Sequence, residues 1–149
     1  MIRVATRGTT LLELAVAVAV VGLLGALAAP SLAAVLASAE TDTAARRLQS
    51  AIATARAVAV LRGRPALLTV TPDSLVVRVV AGVDTAPVWS TPGPSAQSVV
   101  LTGPVRTLSF GPYGLARGVS NATFRLTRGS AVRQVVVSRL GRARVLRQP

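Results

Sequence analysis

One carboxylate stands at the start of an apolar stretch, and its position there suggests chemistry. Glu13 is flanked by leucines, and the residues from Leu14 to Ala29 carry no charge. An ionised side chain inside a membrane helix costs about 2.5 kcal/mol or more at the bilayer centre, so intramembrane carboxylates usually have a function. A plain secretory signal peptide has no use for such a group. The sequence therefore predicts a functional role for Glu13.

A second chemical feature is the excess of arginine toward the C-terminus. All seventeen basic residues are arginine, against five acidic residues, and the net charge is +12. Residues 85–149 contain nine arginines and no acidic residue. In an extended strand, Arg142 and Arg144 would project from one face about 7 Å apart, which suits two phosphates of a nucleic-acid backbone. The pattern predicts a polyanion-binding surface, which Arg125, Arg139 and Arg147 would widen.

Two interpretations of these arginines stay open. Few aromatic residues are available for stacking on bases, and Phe110 and Phe124 fit a protein core better than a stacking surface. Binding of DNA would therefore be electrostatic and independent of base sequence. Alternatively, the arginines only keep a small apolar domain soluble and discourage strand pairing between neighbouring copies.

The remaining composition argues against an enzyme. The 149 residues include no cysteine and no histidine, so thiol nucleophiles, imidazole bases and the common metal ligands are absent. Glu13 and four other carboxylates are the remaining candidates for acid or base chemistry: Glu40, Asp42, Asp73 and Asp84. We therefore expect no catalytic residue, no metal site and no cofactor.

The elements that position these groups begin with a membrane helix. Leu11 to Ala29 spans nineteen residues, which at about 1.5 Å per residue matches the hydrocarbon thickness of a bilayer. Arg3 and Arg7 precede it, and the positive-inside rule then keeps the N-terminus in the cytoplasm. We predict a transmembrane helix over residues 9–30 with the remainder of the chain outside the cytoplasm.

Residues 31–62 continue as an amphipathic helix. Gly63 and Pro65 provide a helix stop, so the helix should end near Arg62. The apolar positions recur every three or four residues and should pack against a sheet. They are Leu32, Val35, Leu36, Ala39, Leu48, Ile52, Ala55 and Ala59.

The head, residues 66–149, has the alternation typical of β-strands. Strands are predicted near 66–71, 75–81, 98–101, 105–110, 121–128, 131–138 and 142–147. Residues 83–98 contain three prolines and a glycine, which favours a surface loop. The predicted fold class is α+β, with a long N-terminal helix packed on a small antiparallel sheet.

The N-terminus resembles the type IV prepilin signature. Arg7 and Gly8 end a short basic leader, Thr9 follows, and Glu13 is the fifth residue after Gly8. The resemblance implies that a prepilin peptidase removes residues 1–8 and that Thr9 becomes the N-methylated first residue. It also implies that Glu13 neutralises the terminal ammonium group of a neighbouring subunit, which would fix subunit register because each charge removes the other's desolvation cost. Members of that family usually have phenylalanine where this chain has Thr9.

The rest of the chain resembles the FimT/GspH group of minor pilins and pseudopilins, in residues 43–48, 62–65, 108–114 and 135–144. The resemblance implies a pilin-like fold anchored in the bacterial inner membrane, with a periplasmic head that assembles with other pilin subunits into a fibre. In DNA-uptake pilins of the FimT type a closing Gly-Arg-x-Arg element is associated with DNA binding. Gly141, Arg142 and Arg144 match it.

Two other functions remain possible from the sequence alone. One is a structural pseudopilin at the tip of a type II secretion fibre, in which the same helix and Glu13 suffice and DNA is not bound. The other is a secreted soluble enzyme behind a signal peptide. Such an enzyme would begin beyond Ala29, whereas a processed pilin would begin at Thr9.

Overall fold

A single long helix, α1 (Leu11–Arg62), opens the described part of the chain. The computed structural model describes residues 10–103, 105–118 and 122–147, with the side chains of residues 26–30 left out. At the start of α1 the Thr10 hydroxyl accepts a hydrogen bond from the Glu13 backbone N–H at 3.2 Å. At its end Gly63 adopts a φ of +59°, and the Arg64 N–H reaches back to the Ala59 carbonyl at 3.2 Å. This glycine cap confirms the predicted end of the helix.

The chain divides into two units, Met1–Val35 and Leu36–Pro149. The described leucines and valines of the first unit are exposed, Leu11 at 87% for example. Among the described residues, no stretch of helix is both long and apolar enough to cross a bilayer. The transmembrane helix over residues 9–30 stays a prediction, and the leader, residues 1–8, lies outside the described residues.

The second unit contains two antiparallel sheets and a short 3₁₀ turn at Pro94–Gln97. Sheet A has the strand order β3-β2-β1-β5-β6 and sheet B the order β4-β7-β8-β9. The strands are β1 (Ala66–Val70), β2 (Ser74–Ala81), β3 (Asp84–Pro92), β4 (Val100–Thr102), β5 (Arg106–Phe110), β6 (Ala116–Arg117), β7 (Ala122–Arg128), β8 (Ala131–Val137) and β9 (Ala143–Arg147).

One apolar core joins α1 to both sheets. Alternate residues of β1, β2, β7 and β8 are buried, as period-two alternation requires. The buried face of the helix is rich in alanine, and small side chains let sheets approach a helix closely. The helix residues in this core are Ala44, Ala45, Leu48, Ala51, Ile52, Ala55 and Ala59. The α+β prediction and the second half of the apolar stripe are thereby confirmed.

Two local predictions were wrong. Residues 83–98 include strand β3, which pairs with β2 along its length, with an irregularity between Val77 and Arg78. Most β3 side chains are exposed and the strand contains Pro87, a combination that an edge strand tolerates but that produces no apolar alternation in the sequence.

The second wrong prediction concerns the apolar stripe of α1. Its first half is exposed, since the first buried residue among those described in the helix is Ala37. Leu32, Val35, Leu36 and Ala39 are therefore not core residues.

An ion pair ties the helix to sheet B. The Arg133 guanidinium, 8% exposed, donates to both carboxylate oxygens of Asp42, through Nε to Oδ1 at 2.6 Å and through Nη2 to Oδ2 at 3.3 Å. The same group donates to Ser38 Oγ at 2.9 Å and to the Val132 carbonyl at 2.8 Å. Arg147 adds a third bond to Asp42 at 3.1 Å. A buried guanidinium satisfied in this way holds β8 at a defined position along α1.

These arginines also affect the protonation of Asp42. The hydrogen bond from Arg133, and then the positive charges of Arg133, Arg147 and Arg46, hold the pKa of the Asp42 carboxyl below its ordinary value. Partial desolvation acts in the opposite direction and is outweighed. The ionised carboxylate is therefore the form that stabilises the fold.

Replacing Asp42 by asparagine should lower the free energy of unfolding by about 3 kcal/mol, because Arg133 would keep its burial and lose its counter-charge. A depressed pKa stabilises the native state above the unfolded-state pKa of about 3.9, and this contribution is lost as the pH falls through the folded-state value. Urea unfolding of the full chain in detergent, followed from neutral pH into the acid range, should show the full difference at neutral pH and a shrinking difference as the pH falls below about 3.9.

The matched control is Asp84→Asn, which removes an exposed aspartate from the edge strand β3. We expect this variant to remain within about 0.5 kcal/mol of the unaltered chain. Equal unfolding energies for the two variants at neutral pH would contradict a structural role for the Asp42 pair.

Candidate nucleic-acid interface

The arginine pair lies at the start of strand β9, which forms one edge of sheet B: Arg142 directly precedes the strand and Arg144 lies in it. The turn from β8 is closed by the Ser138 N–H, which donates to the Arg142 carbonyl at 2.9 Å. Gly141 in this turn has a φ of +74°, a left-handed conformation that favours glycine. A Cβ atom at Gly141 would lie 3.2 Å from Phe110 Cε1 and 3.3 Å from the Gly114 carbonyl oxygen. The lack of a side chain at Gly141 therefore lets the turn pack against the core, and the next residue, Arg142, is exposed.

Arg142 and Arg144 are both exposed. Because the Arg142 carbonyl continues the pairing with β8 one residue before β9 begins, the two side chains, two residues apart, project from one face. Arg144 lies opposite Val136 of β8. Arg125, also exposed, lies opposite Gln134 of β8, two residues along from Val136. With strands about 4.8 Å apart, the Cα atoms of Arg125 and Arg144 are about 12 Å apart across the outer face of sheet B.

The other two predicted arginines differ in their surroundings. Arg139 is exposed in the turn that connects β8 to β9, three residues before Arg142. Arg147 is three residues beyond Arg144, so it projects from the opposite face of β9, where it binds Asp42. The structure therefore places Arg125, Arg142 and Arg144 on one face, with Arg139 in the adjoining turn and Arg147 apart from them.

A groove of about 680 Å³ runs between α1 and β9. Its helix side consists mainly of apolar residues from Ile52 to Leu61, and its strand side of residues 141–144. Arg56 joins Arg142 and Arg144 in its lining, and no carboxylate does. Gln49 closes one end by donating from Nε2 to the Ala143 carbonyl at 3.1 Å. Sequence reasoning missed Arg56, because nothing in the spacing of the chain indicates that this turn of the helix faces β9.

A second groove of about 480 Å³ adjoins the first along β9. Gln49, Ala143 and Arg144 line both, and the second groove adds Arg46 and the Asp42–Arg147 pair. In the part of the chain that the structure describes, no group of acidic side chains comes together in a way that could hold a metal ion.

Of the residues predicted to act in processing and assembly at the N-terminus, the structure describes Glu13. Gly8 and Thr9 lie outside the described residues. Glu13 lies in the first turn of α1, where its backbone N–H is bonded to the Thr10 hydroxyl and an acidic side chain is favoured by the helix dipole. Threonine followed three residues later by glutamate is a sequence signature of helix starts that the spacing from Gly8 does not reveal. The bond formed here uses the backbone N–H of Glu13 and not its carboxylate.

Comparisons with known proteins agree with this architecture. A family model described as type II transport protein GspH matches residues 44–141. A crystal structure of the type IV minor pilin FimU from Pseudomonas aeruginosa superposes with a TM-score of 0.60, at 22% identity over 74% of this chain and 89% of that chain. A second crystal form of FimU gives 0.56, at 21% identity over 72% and 92%. No curated protein matches the chain significantly. At these identities the FimU structures establish a shared fold.

Replacing Gly141 by alanine should cost more stability than the same change at Gly129. Both glycines have positive φ values, +74° and +54°, and each substitution incurs a backbone strain of about 1 kcal/mol. Alanine at 141 would also press on Phe110, for about 1 to 3 kcal/mol more, whereas at Gly129 the nearest atom is 3.9 Å away. Urea unfolding of both variants checks this difference, and equal losses would contradict close packing beneath the Gly141 turn.

Proposed function

The chain belongs to the GspH family of pilin-like minor pilins and pseudopilins, and from that premise we propose that it is a fibre subunit that also binds DNA through its C-terminal arginines. The binding surface consists of Arg142 and Arg144, held by the Gly141 turn, and is widened by Arg125 and Arg139. Arg147 could add to it only by leaving Asp42, to which it is bonded.

The observation that carries the proposal is the distribution of counter-charges. Glu40 pairs with Arg128, and Asp42 pairs with Arg133 and Arg147. Among the described residues, neither Arg142 nor Arg144 has a carboxylate partner. A phosphate bound there would therefore meet exposed guanidinium groups without first displacing an acidic side chain.

This geometry supports contacts to the DNA backbone more than contacts to bases. Guanidinium groups about 7 Å apart along one strand can each bind a successive phosphate, which makes affinity strongly dependent on salt and independent of base sequence. Tyr113 is 89% exposed, and its neighbour Gly114 lies against the Gly141 turn. A base of single-stranded DNA could stack on that ring beside the arginines.

Assembly into the fibre rests on the N-terminus. In this proposal a prepilin peptidase cuts after Gly8 on the cytoplasmic side of the inner membrane, and Thr9 becomes the methylated first residue. The apolar segment anchors the subunit with its head in the periplasm until Glu13 pairs with the terminal ammonium group of a neighbouring subunit. Pairing removes the cost of holding either charge in lipid, and so the pair favours one register between subunits.

The alternative function is a structural subunit at the tip of a type II secretion fibre. It is favoured by the family model, whose description names type II transport. In that case the arginines keep the head soluble and DNA is not a partner. The DNA-binding measurement below separates the two functions.

The double variant Arg142→Ala, Arg144→Ala should bind DNA about tenfold or more weakly at moderate salt. Losing two phosphate contacts should also reduce the slope of log affinity against log salt by about 1.8 for duplex DNA and about 1.4 for single strands. Fluorescence anisotropy of labelled DNA, titrated with the full chain in detergent at several salt concentrations, measures both quantities.

The matched control is Arg62→Ala, Arg64→Ala. These exposed arginines have the same spacing but lie at the end of α1, outside the grooves along β9. The control removes the same net charge, so it should retain most of the affinity. If both double variants weaken binding equally, net charge alone attracts DNA and the arginine surface is not a specific site.

Glu13→Gln should prevent incorporation into fibres, whereas Thr10→Ala should not. Glutamine removes the charge that would pair with a neighbouring ammonium group, while alanine at 10 removes the helix cap for about 1 kcal/mol and leaves the charge in place. Quantitative immunoblotting of sheared fibres against the membrane fraction measures incorporation. Equal defects in the two variants would assign Glu13 to helix capping instead of assembly.

A further inference from the structure

Strand β9 presents an open backbone edge. In the described part of the chain it pairs only with β8. The Arg142 carbonyl accepts from Ser138, so the backbone groups of Arg142 point toward β8, and alternation directs those of Ala143 and Val145 away from it. The Gln49 side chain confirms this direction, because it reaches the Ala143 carbonyl from the helix side. The N–H and C=O groups of Val145 therefore face the space between β9 and α1.

Two adjoining grooves follow this space and meet where the Gln49 side chain bonds to the Ala143 carbonyl, and together they are called the channel. The two grooves along β9 share Gln49, Ala143 and Arg144 and have volumes of about 680 and 480 Å³. On the helix side, Ala53 and Ala57 leave depth where larger residues would fill it. An extended peptide that hydrogen-bonds to one strand edge while its alternate side chains enter adjacent pockets is a common mode of peptide recognition.

Charge decides what could occupy the channel. Arg46, Arg56, Arg142 and Arg144 line it, and its one carboxylate, Asp42, is already paired with Arg133 and Arg147. The edge strands of a second copy would bring a single carboxylate, Asp84 at the start of β3, and β9 itself would bring arginine against arginine, since residues 85–149 contain no acidic residue. Duplex DNA is far wider than a strand and could not reach the backbone of β9 between the two walls. The fitting occupant is an extended acidic segment of another protein.

We propose that the channel between α1 and β9 binds an extended acidic segment of a partner protein, which adds to sheet B as a strand next to β9. The backbone of Val145 supplies the hydrogen bonds, and the arginines along the channel pair with acidic side chains of the partner. This site goes beyond DNA binding, which uses the guanidinium groups on the outer face and needs no backbone group of β9.

The experiment compares Val145→Pro with Val145→Ala in the full chain in detergent micelles. Proline removes the outward N–H without breaking the ladder to β8, and alanine removes the same side-chain packing while it keeps the N–H. The probe is a fluorescent peptide of about ten residues that alternates valine and glutamate and has blocked termini. Anisotropy titration should give similar affinities for the unaltered chain and Val145→Ala, and a loss of about tenfold or more for Val145→Pro.

A second measurement needs no protein variant. The same peptide N-methylated at two neighbouring central residues cannot donate from either edge there, and it should bind the unaltered chain about tenfold more weakly. If circular dichroism shows that Val145→Pro does not fold, this result alone tests whether the peptide binds by strand addition. A peptide that alternates valine and lysine should not bind.

Three outcomes would overturn the proposal. One is equal affinity of the glutamate peptide for both Val145 variants, or for the methylated and unmethylated forms. Another is dimerisation of the chain that Val145→Pro abolishes, which would assign the channel to a second copy. The third is a parallel loss of single-stranded DNA binding in Val145→Pro. For the unaltered chain, DNA binding without binding of the glutamate peptide rejects only strand addition, whereas peptide binding without DNA binding rejects only the arginine surface.

Discussion

The burial of an alanine-rich helix face under two sheets is the constraint on which the rest of the second unit depends. Ala45, Ala51, Ala55 and Ala59 are completely buried, and strands of both sheets share one core with them. Larger residues at these positions would separate the sheets from the helix, and overpacked cores are destabilised by about 1 to 3 kcal/mol for each misfit. Close approach also shapes the grooves along β9, because it brings β9 near enough to the helix for Gln49 to bond to its backbone.

The ion pair between Asp42 and Arg133 adds to the apolar packing a polar contact that fixes the position of sheet B along the helix. A nearly buried guanidinium with four hydrogen-bond acceptor atoms has one satisfactory position, since a shift would leave a charge without partners. The pair also commits one of only five carboxylates among the 149 residues. Because Asp42 is bonded to Arg133 and Arg147, it does not neutralise the exposed Arg142 and Arg144 near β9.

The sequence predicted elements whose pattern is local. Gly63 ended the helix as expected, and β7 and β8 lie within one or two residues of their predicted positions, because a buried face alternates with an exposed one. Strand β3 was not predicted, because it is stabilised by its pairing with β2 while most of its own side chains are exposed to water. The same limit applies to the site. The shared face of Arg142 and Arg144 follows from their two-residue spacing along the chain, whereas the nearness of Arg56 and the pairing of Arg147 with Asp42 depend on tertiary contacts.

The edge position of β9 explains why one strand could serve two partners. An exposed edge is a hazard in a subunit that is packed at high density in a fibre, because identical edges can pair with each other. Arginines on both faces of β9 suppress this pairing by repulsion between copies, and the same charges attract phosphates or acidic side chains. DNA would use the side chains from the outer face, and an added strand would use the backbone from the helix side. A change at the Val145 backbone should therefore affect only an added strand, whereas a change at Arg142 and Arg144 should affect both partners, because these side chains also line the channel.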